Sequence, residues 1–159
     1  MPPLTATWAH GNSLVLENTG APGATTTPRG WGMEVRFPAA NNSAWLHVPI
    51  PTPVLMSDQR AKVFRFFVLF GCDPNLGFID AVHFYDGFNK VQEFNGLHLG
   101  GSAFINQIVN STPGGGHGNA FVLTQPHTVL WGLGISFHFR TVAPSALLTV
   151  STAGCDLNF

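Results

Sequence analysis

The sequence predicts an all-β protein, built as an antiparallel β-sandwich, and three observations support this. Apolar residues occupy every second position from Val129 to Phe139, which is the period of a strand with one buried face. The chain contains 18 Gly and 12 Pro residues, which divide it into many short segments separated by turns. No segment shows a sustained helical period. We therefore expect about ten strands in a jelly-roll-like sandwich.

The segment from 129 to 139 also has a second face of unusual character. Between the apolar positions lie small or polar side chains for the most part. These intervening residues are Leu130, Gly132, Gly134, Ser136 and His138. A face with so little bulk of its own leaves room for another group to lie close against it.

Segments of similar pattern predict the remaining strands along the chain. They cover residues 5–9, 13–17, 31–37, 44–50, 62–70, 78–86, 90–94, 97–110, 121–124, 129–140 and 147–152, and 97–110 holds one or two strands. The segment 62–70 is the most apolar and is expected to be central. Proline at 49, 51 and 53 cannot donate to a sheet, so this stretch must lie on an edge or leave the sheet. The Gly-rich stretch 111–119 predicts a flexible loop.

Length and charge limit the classes of function. A chain of 159 residues is most simply one domain, spanning 1–159. Charged residues make up 9% of the chain, against about 25% in typical domains, and the formal net charge is -1. General attraction to nucleic acid or to acidic membranes is therefore not expected. A charge-poor surface favours self-association, which predicts a homo-oligomer, although uncharged polar residues could instead keep the surface solvated.

The chain shows no targeting or membrane-spanning signal. Its first ten residues lack a basic region followed by an apolar core, and no apolar run reaches about 18 residues. We expect a cytoplasmic protein, or one secreted without a visible signal peptide. Cys72 and Cys155 are compatible with a single disulfide bond or with two buried thiols.

Seven histidines against eight acidic residues suggest acid–base or metal chemistry. No His-x-His pair occurs, so a metal site is not predicted, and no cofactor is expected. A general acid–base pair requires two titratable groups held together. The candidate catalytic residues are His83 with Asp80 or Asp86, and a second candidate pair is His47 with Glu34. Both faces of the strand 78–86 carry a polar group, so Asp80 or His83 could equally be buried and satisfied structurally.

Aromatic and amide side chains favour a binding site for a carbohydrate or another small polar ligand. Such sites combine an apolar ring face with directional polar groups. Trp31 and Trp131 lie in apolar stripes and are expected in the core, which leaves Trp8 and Trp45 as the exposed pair. The candidate ligand-binding residues are Trp45, His47, His83, Tyr85, Asp86 and His98.

A set of short motifs spans nearly the whole chain and resembles a family of small bacterial single-domain proteins, a domain of unknown function. The resemblance implies one compact domain and assigns no activity, ligand or catalytic residue. The motifs are Trp8-Ala9-His10-Gly11, Gly30-Trp31-Gly32, Ile50-Pro51-Thr52-Pro53-Val54, Tyr85-Asp86-Gly87, Trp131-Gly132-Leu133-Gly134-Ile135-Ser136 and Ala153-Gly154-Cys155-Asp156.

Three hypotheses of function follow. The first is a non-catalytic binding module for a carbohydrate or similar small polar ligand. The second is an enzyme of the cyclase, isomerase or lyase type that uses a His/carboxylate dyad. The third is a structural protein that self-assembles, which the low charge favours.

Overall fold

The computed structural model describes residues 4–17, 20–110 and 118–159 and confirms the all-β antiparallel sandwich. No α-helix occurs within these ranges, and hence no helix that could cross a membrane. Residues 111–117 of the predicted flexible loop lie outside them. The strands are β1 (Thr5–His10), β2 (Val15–Leu16), β3 (Thr25–Arg29), β4 (Gly32–Phe37), β5 (Ser43–Ile50), β6 (Leu55–Met56), β7 (Gln59–Arg60), β8 (Lys62–Cys72), β9 (Gly77–Asp86), β10 (Asn89–Leu99), β11 (Ala120–Thr128), β12 (Leu133–Thr141) and β13 (Ala146–Asn158).

Ten of these strands have five or more residues, close to the number expected, and β2, β6 and β7 add two residues each. They form two large sheets and the small β6–β7 hairpin. The first sheet has the order β11-β8-β13-β4-β3, and β1 also pairs with β13. The second sheet has the order β10-β9-β12-β5-β2. The finer jelly-roll assignment stays a prediction.

Strand β13 has different partners along its two edges. On one edge it pairs with β8, the most apolar predicted strand, which therefore lies inside the sheet. On the other edge β4 pairs with Ala146–Val150, and β1 pairs with residues 152–157. Between these two partners, Gly11 and Gly32 both approach the Val150 carbonyl oxygen. A Cβ at these glycines would lie 2.0 and 2.2 Å from that oxygen, so neither position accommodates a side chain.

The core lies between the two sheets and is dominated by phenylalanine. Phe66 of the first sheet stacks on Phe84 of the second with ring centroids 4.0 Å apart. Phe121 packs against Phe84 and Phe94, at centroid distances of 5.8 and 5.3 Å. Burial of these rings supplies a large part of the driving force for folding.

The predicted burial of two tryptophans is wrong. Trp131 is 72% exposed and Trp31 is 45% exposed, more than Trp8 at 38%. Trp131 does not belong to a strand, because a turn held by Asp86 delays the start of β12 until Leu133. Trp31 lies at the turn between β3 and β4. Alternation alone did not reveal either turn.

The two cysteines are free thiols. Cys155 lies opposite Phe66 of β8, whereas Cys72 lies at the other end of the same strand, opposite Leu148. Six residues of strand separate these positions by about 20 Å, and a disulfide needs Cα atoms within about 7 Å. The structure therefore excludes the disulfide alternative.

Candidate functional site

The outer face of the second sheet brings several candidate residues together. β12 is the middle strand here, with β5 on one side and β9 on the other. Ser136 lies directly between His47 and His83, and His138 lies opposite Trp45. We call this surface the histidine face. It comprises Trp45, His47, His83, Tyr85, Gly134, Ser136 and His138.

Trp45 is the central aromatic group of the histidine face. Its ring centroid lies 4.6 Å from that of His83 and 5.0 Å from that of His138, with interplanar angles of 44° and 43°. The indole is half-buried and lies against the small and polar face of β12. This is the close approach that the pattern at 129–139 predicted.

A groove of about 510 Å³ lies beside this cluster. His47, Ser136 and Tyr85 contribute its polar groups, Val15 forms part of its wall, and Gly134 lies among the lining residues. A Cβ at Gly134 would meet a single neighbouring atom within 4 Å, a carbonyl oxygen at 3.9 Å, and its φ is not in the left-handed region. Neither backbone nor packing therefore requires glycine at this position, and its absent side chain leaves the groove open.

His47 connects two groups of the groove through its two ring nitrogens. Nε2 lies 3.0 Å from Glu17 Oε2, and Nδ1 lies 2.8 Å from Ser136 Oγ. A carboxylate accepts, so Nε2 of the neutral ring carries the proton and Nδ1 accepts from the Ser136 hydroxyl. The predicted partner Glu34 instead contacts Arg29 and Arg36 in the first sheet.

The predicted dyads of His83 with Asp80 or Asp86 do not form. His83 Nε2 contacts Asn95 Oδ1 at 2.9 Å and Glu93 Oε2 at 3.6 Å, both on β10. Asp80 accepts from His138 Nδ1 at 2.5 Å and from Arg140 Nε at 3.1 Å. The register of β9 against β12 shifts here, so Asp80 is the extra residue of a β-bulge and reaches partners on the neighbouring strand.

Asp86 is buried at the end of β9 and does not itself line the groove, although its neighbours Tyr85 and Gly87 do, and its carboxylate serves a structural role. It accepts from the backbone N–H groups of Leu130, Trp131 and Gly132 at 2.7, 2.8 and 3.0 Å, and from His127 Nε2 at 2.9 Å. Burial raises the pKa of Asp86, but these donors outweigh it and hold the pKa below its ordinary value. The residue holds the loop before β12.

His98 lies at the opposite end of β9 from Tyr85. Its ring packs on Phe78 at a centroid distance of 3.8 Å, and it does not line the groove. The structure thus brings together Trp45, His47, His83 and Tyr85. It places His98 apart from them and buries the side chain of Asp86, so that it does not reach their surface. Within the described ranges, no cluster of three or more His, Cys, Asp or Glu side chains is arranged to hold a metal ion.

Sequence reasoning did not select Glu17, Ser136 or His138 as site residues. Glu17 directly follows β2, which pairs with the edge of β5 that faces away from β12, and from there it reaches His47. No local sequence pattern shows that β2 and β5 are neighbours. For Ser136 and His138 a signal was present, because both lie on the small and polar face of 129–139. That alternation identified the face but not the strands beside it.

No family model and no curated protein matches the chain, so the resemblance to a bacterial family stays a prediction. Among solved structures, it is similar to the enzymatically active domain of tailspike protein 4 from Bacteriophage CBA120, at 12% identity and a TM-score of 0.40. It is also similar to the Agl-KA catalytic domain, at 12% identity and a TM-score of 0.36. The alignments cover 96% and 98% of this chain but 19% and 28% of those chains. Neither likeness bears on the function of this chain.

Proposed function

We propose that the protein binds a carbohydrate, or a small polar ligand of similar chemistry, on the histidine face and does not transform it. Sugar rings present an apolar face together with directional hydroxyl groups. Trp45 supplies an aromatic surface, and His47, Ser136 and Tyr85 supply polar groups around the adjoining groove.

The observation that carries this proposal is the glycine at 134. β12 is paired on both sides, and such a position ordinarily favours a branched or aromatic side chain. No backbone strain or steric contact excludes one here. The fold does not need glycine at this position, and the groove that it lines is largely apolar with a few polar side chains, so the missing side chain is consistent with space kept for a ligand.

Gly134→Val tests the proposal by filling the groove. Because the position is open and lies within a strand, we expect unfolding stability to be unchanged or raised by up to about 1 kcal/mol. The affinity for any glycan that binds the native protein should fall at least about tenfold. Calorimetric titration would follow a glycan-array screen. Unchanged affinity in a folded Gly134→Val protein would place the ligand elsewhere.

Trp45→Ala tests the aromatic surface, with Trp31→Ala as the matched control. Both residues are accessible tryptophans, but Trp31 lies at the β3–β4 turn of the other sheet. We expect a loss of affinity of about tenfold or more for Trp45→Ala and none for Trp31→Ala. Equal affinities in the two variants would contradict the proposal.

A second candidate function is an enzyme in which His47 acts as a general base. The Glu17 carboxylate orients the ring so that unprotonated Nδ1 points to the Ser136 hydroxyl, beside the groove. Acyl transfer by Ser136 itself is disfavoured, because the ladders on both sides of β12 engage its backbone N–H groups and leave no oxyanion hole there. Proton abstraction from a bound ligand fits the geometry better.

Glu17→Gln distinguishes the second candidate from simple binding. An amide can donate to Nε2, which would favour the tautomer with the proton on Nδ1. If His47 is a base, product formation from a bound ligand should fall about a hundredfold while affinity stays nearly constant. If no glycan that binds is converted by the native protein, only the binding proposal survives.

A further inference from the structure

One end of the sandwich exposes a group of large apolar side chains that neither proposed function uses. Phe88 is 94% exposed, Trp131 72%, Leu55 58%, Met56 46% and Leu130 45%. They lie in three turns: the β6–β7 hairpin, the β9–β10 turn and the loop before β12. We call this surface the apolar end. Exposed apolar residues scattered singly are ordinary, but a contiguous group indicates an interaction surface.

The three turns rise from the same level of the sandwich. Leu133, the first residue of β12, pairs with Asp86, the last residue of β9, and with Ile50, the last residue of β5. On the first sheet, Lys62 at the start of β8 pairs with Thr128 at the end of β11. The side chains of the apolar end can therefore meet a flat surface together.

Hydrogen bonds join the turns into one unit. Gly87 N–H donates to the Gly132 carbonyl oxygen, and Val129 N–H donates to that of Ala61, both at 2.8 Å. Arg60 Nη1 donates to the Val129 oxygen at 3.4 Å. The buried Asp86 carboxylate fixes the loop of Trp131 from below. These hydrogen bonds fix the backbone of the turns, so the apolar side chains of this end remain exposed to solvent.

We propose that the apolar end docks the protein on a phospholipid bilayer surface. A side chain that is 94% exposed, such as Phe88, projects from its own molecule, so the apolar end presents protrusions and not a groove. A bilayer accepts such protrusions without a matching pocket, and Trp, Phe and Leu are the side chains that favour its interface.

The charges near the apolar end agree with this occupant. Arg60 and Lys62 are exposed cations beside it. Lys90 pairs with Glu93, and the exposed Asp58 and the ionised, buried Asp86 balance Arg60 and Lys62, so the apolar end carries no net formal charge. This balance permits contact with neutral headgroups.

The groove beside the histidine face extends to Gly87 and Gly132, the neighbours of Phe88 and Trp131, so a docked bilayer would lie near one end of that groove. The docking itself does not depend on the proposed function.

The experiment is co-sedimentation of the full chain with phosphatidylcholine vesicles, with and without a minor fraction of phosphatidylserine. Because the apolar end carries no net formal charge, we expect partition into both to a similar extent. The double variant Phe88→Ser and Trp131→Ser should lose binding at least about tenfold, whereas Trp31→Ser should bind like the native protein. Trp131→Phe should still bind but lose the blue shift of tryptophan emission that accompanies insertion.

Three results would overturn the proposal. The first is absence of the native protein from the vesicle pellet. The second is an equal loss in Trp31→Ser. The third is an oligomer that the double variant converts to monomers while vesicle binding stays absent, which would assign the apolar end to a second copy of this chain. Gly134→Val tests only the proposed glycan site. Its effect on glycan affinity does not decide any of these three results, so either proposal can fail without the other.

Discussion

The backbone N–H of Trp131 donates to Asp86 Oδ1 at 2.8 Å, so one of the most buried carboxylates of the protein holds its most exposed tryptophan. Asp86 is 1% exposed, and three of its four donors are consecutive backbone groups of a turn. The contact fixes where β12 begins and keeps the side chain of Trp131, in the loop before it, exposed to solvent. The sequence predicts Asp86 as a ligand-binding residue next to Tyr85. In the structure its carboxylate instead stabilises the loop before β12.

Asp86→Asn is expected to lower the free energy of unfolding by about 2–4 kcal/mol at neutral pH. The amide presents its own donors to three N–H groups that need an acceptor. Urea denaturation followed by circular dichroism would measure the loss. Asp58→Asn is the control, because that exposed side chain should change stability by no more than about 0.5 kcal/mol. Similar effects of the two changes would contradict the assigned role.

Stability should also depend on acid through the same carboxylate. The folded-state pKa of Asp86 is lower than its ordinary value of 3.8, so its contribution is complete above that value. As pH falls below 3.8, Asp86 of the unfolded chain takes up a proton before Asp86 of the folded protein does, which favours unfolding. The contribution is lost completely once pH has also fallen through the folded-state pKa. The unfolding free energy of the native protein should fall more steeply below pH 3.8 than that of Asp86→Asn. If the unfolding free energies of the two proteins fell in parallel below pH 3.8, Asp86 would not be the group that controls acid denaturation.

Asn119→Ala should loosen the segment that leads away from β10. The side chain of Asn119 is fully buried, accepts from Val109 N–H at 2.8 Å and donates to the carbonyl oxygens of Phe104 and Gln107 at 3.2 and 2.8 Å. Its removal leaves these groups without partners, at a cost of about 1–3 kcal/mol. Amide hydrogen exchange should accelerate at Val109.

The exposed Asn89→Ala provides the comparison for that change. It should leave exchange at Val109 and the unfolding free energy as they are in the native protein. If Asn119→Ala behaved in the same way, the buried amide would not be what holds the segment.

Both thiols should react slowly in the folded protein. Burial raises the pKa of Cys72 to about 11 and that of Cys155 to about 12. At pH 8 about one Cys72 in a thousand is then a thiolate, the reactive form. A thiol-specific chromogenic reagent should titrate two thiols rapidly after unfolding and neither rapidly before. A melting temperature lowered by reductant would instead reveal a disulfide.

Local periodicity was sufficient to predict the fold class and most of the strands. The alternation along β12 and the apolar run of β8 correspond to strands with a face on the core, because burial of one face imposes a period of two. The exposed Trp31 and Trp131 were mispredicted for the same reason. When a turn interrupts a strand, the apolar residues within the turn can still fit the alternating pattern. The hydrogen bonds that form the turn can come from a residue distant in sequence, as Asp86 is from Trp131.

The candidate site was predictable in part. Trp45, His47, His83 and Tyr85 alternate on two strands, so their common orientation within each strand could be derived from the sequence. That β12 would lie between the two strands, and that Glu17 would complete His47, depends on sheet order. Strand order is decided by packing of the whole chain, and a bulge such as the one at Asp80 changes which residues meet.

The placement of β13 has a consequence for the time course of folding. It is the last strand of the described chain, yet it pairs with β1, β4 and β8, so its contacts join residues far apart in sequence. The first sheet cannot close until residues 146–158 have left the ribosome, and until then β1, β4 and β8 expose unpaired edges. We expect slow, late acquisition of structure during synthesis, and a truncation within β13 should leave a chain that aggregates.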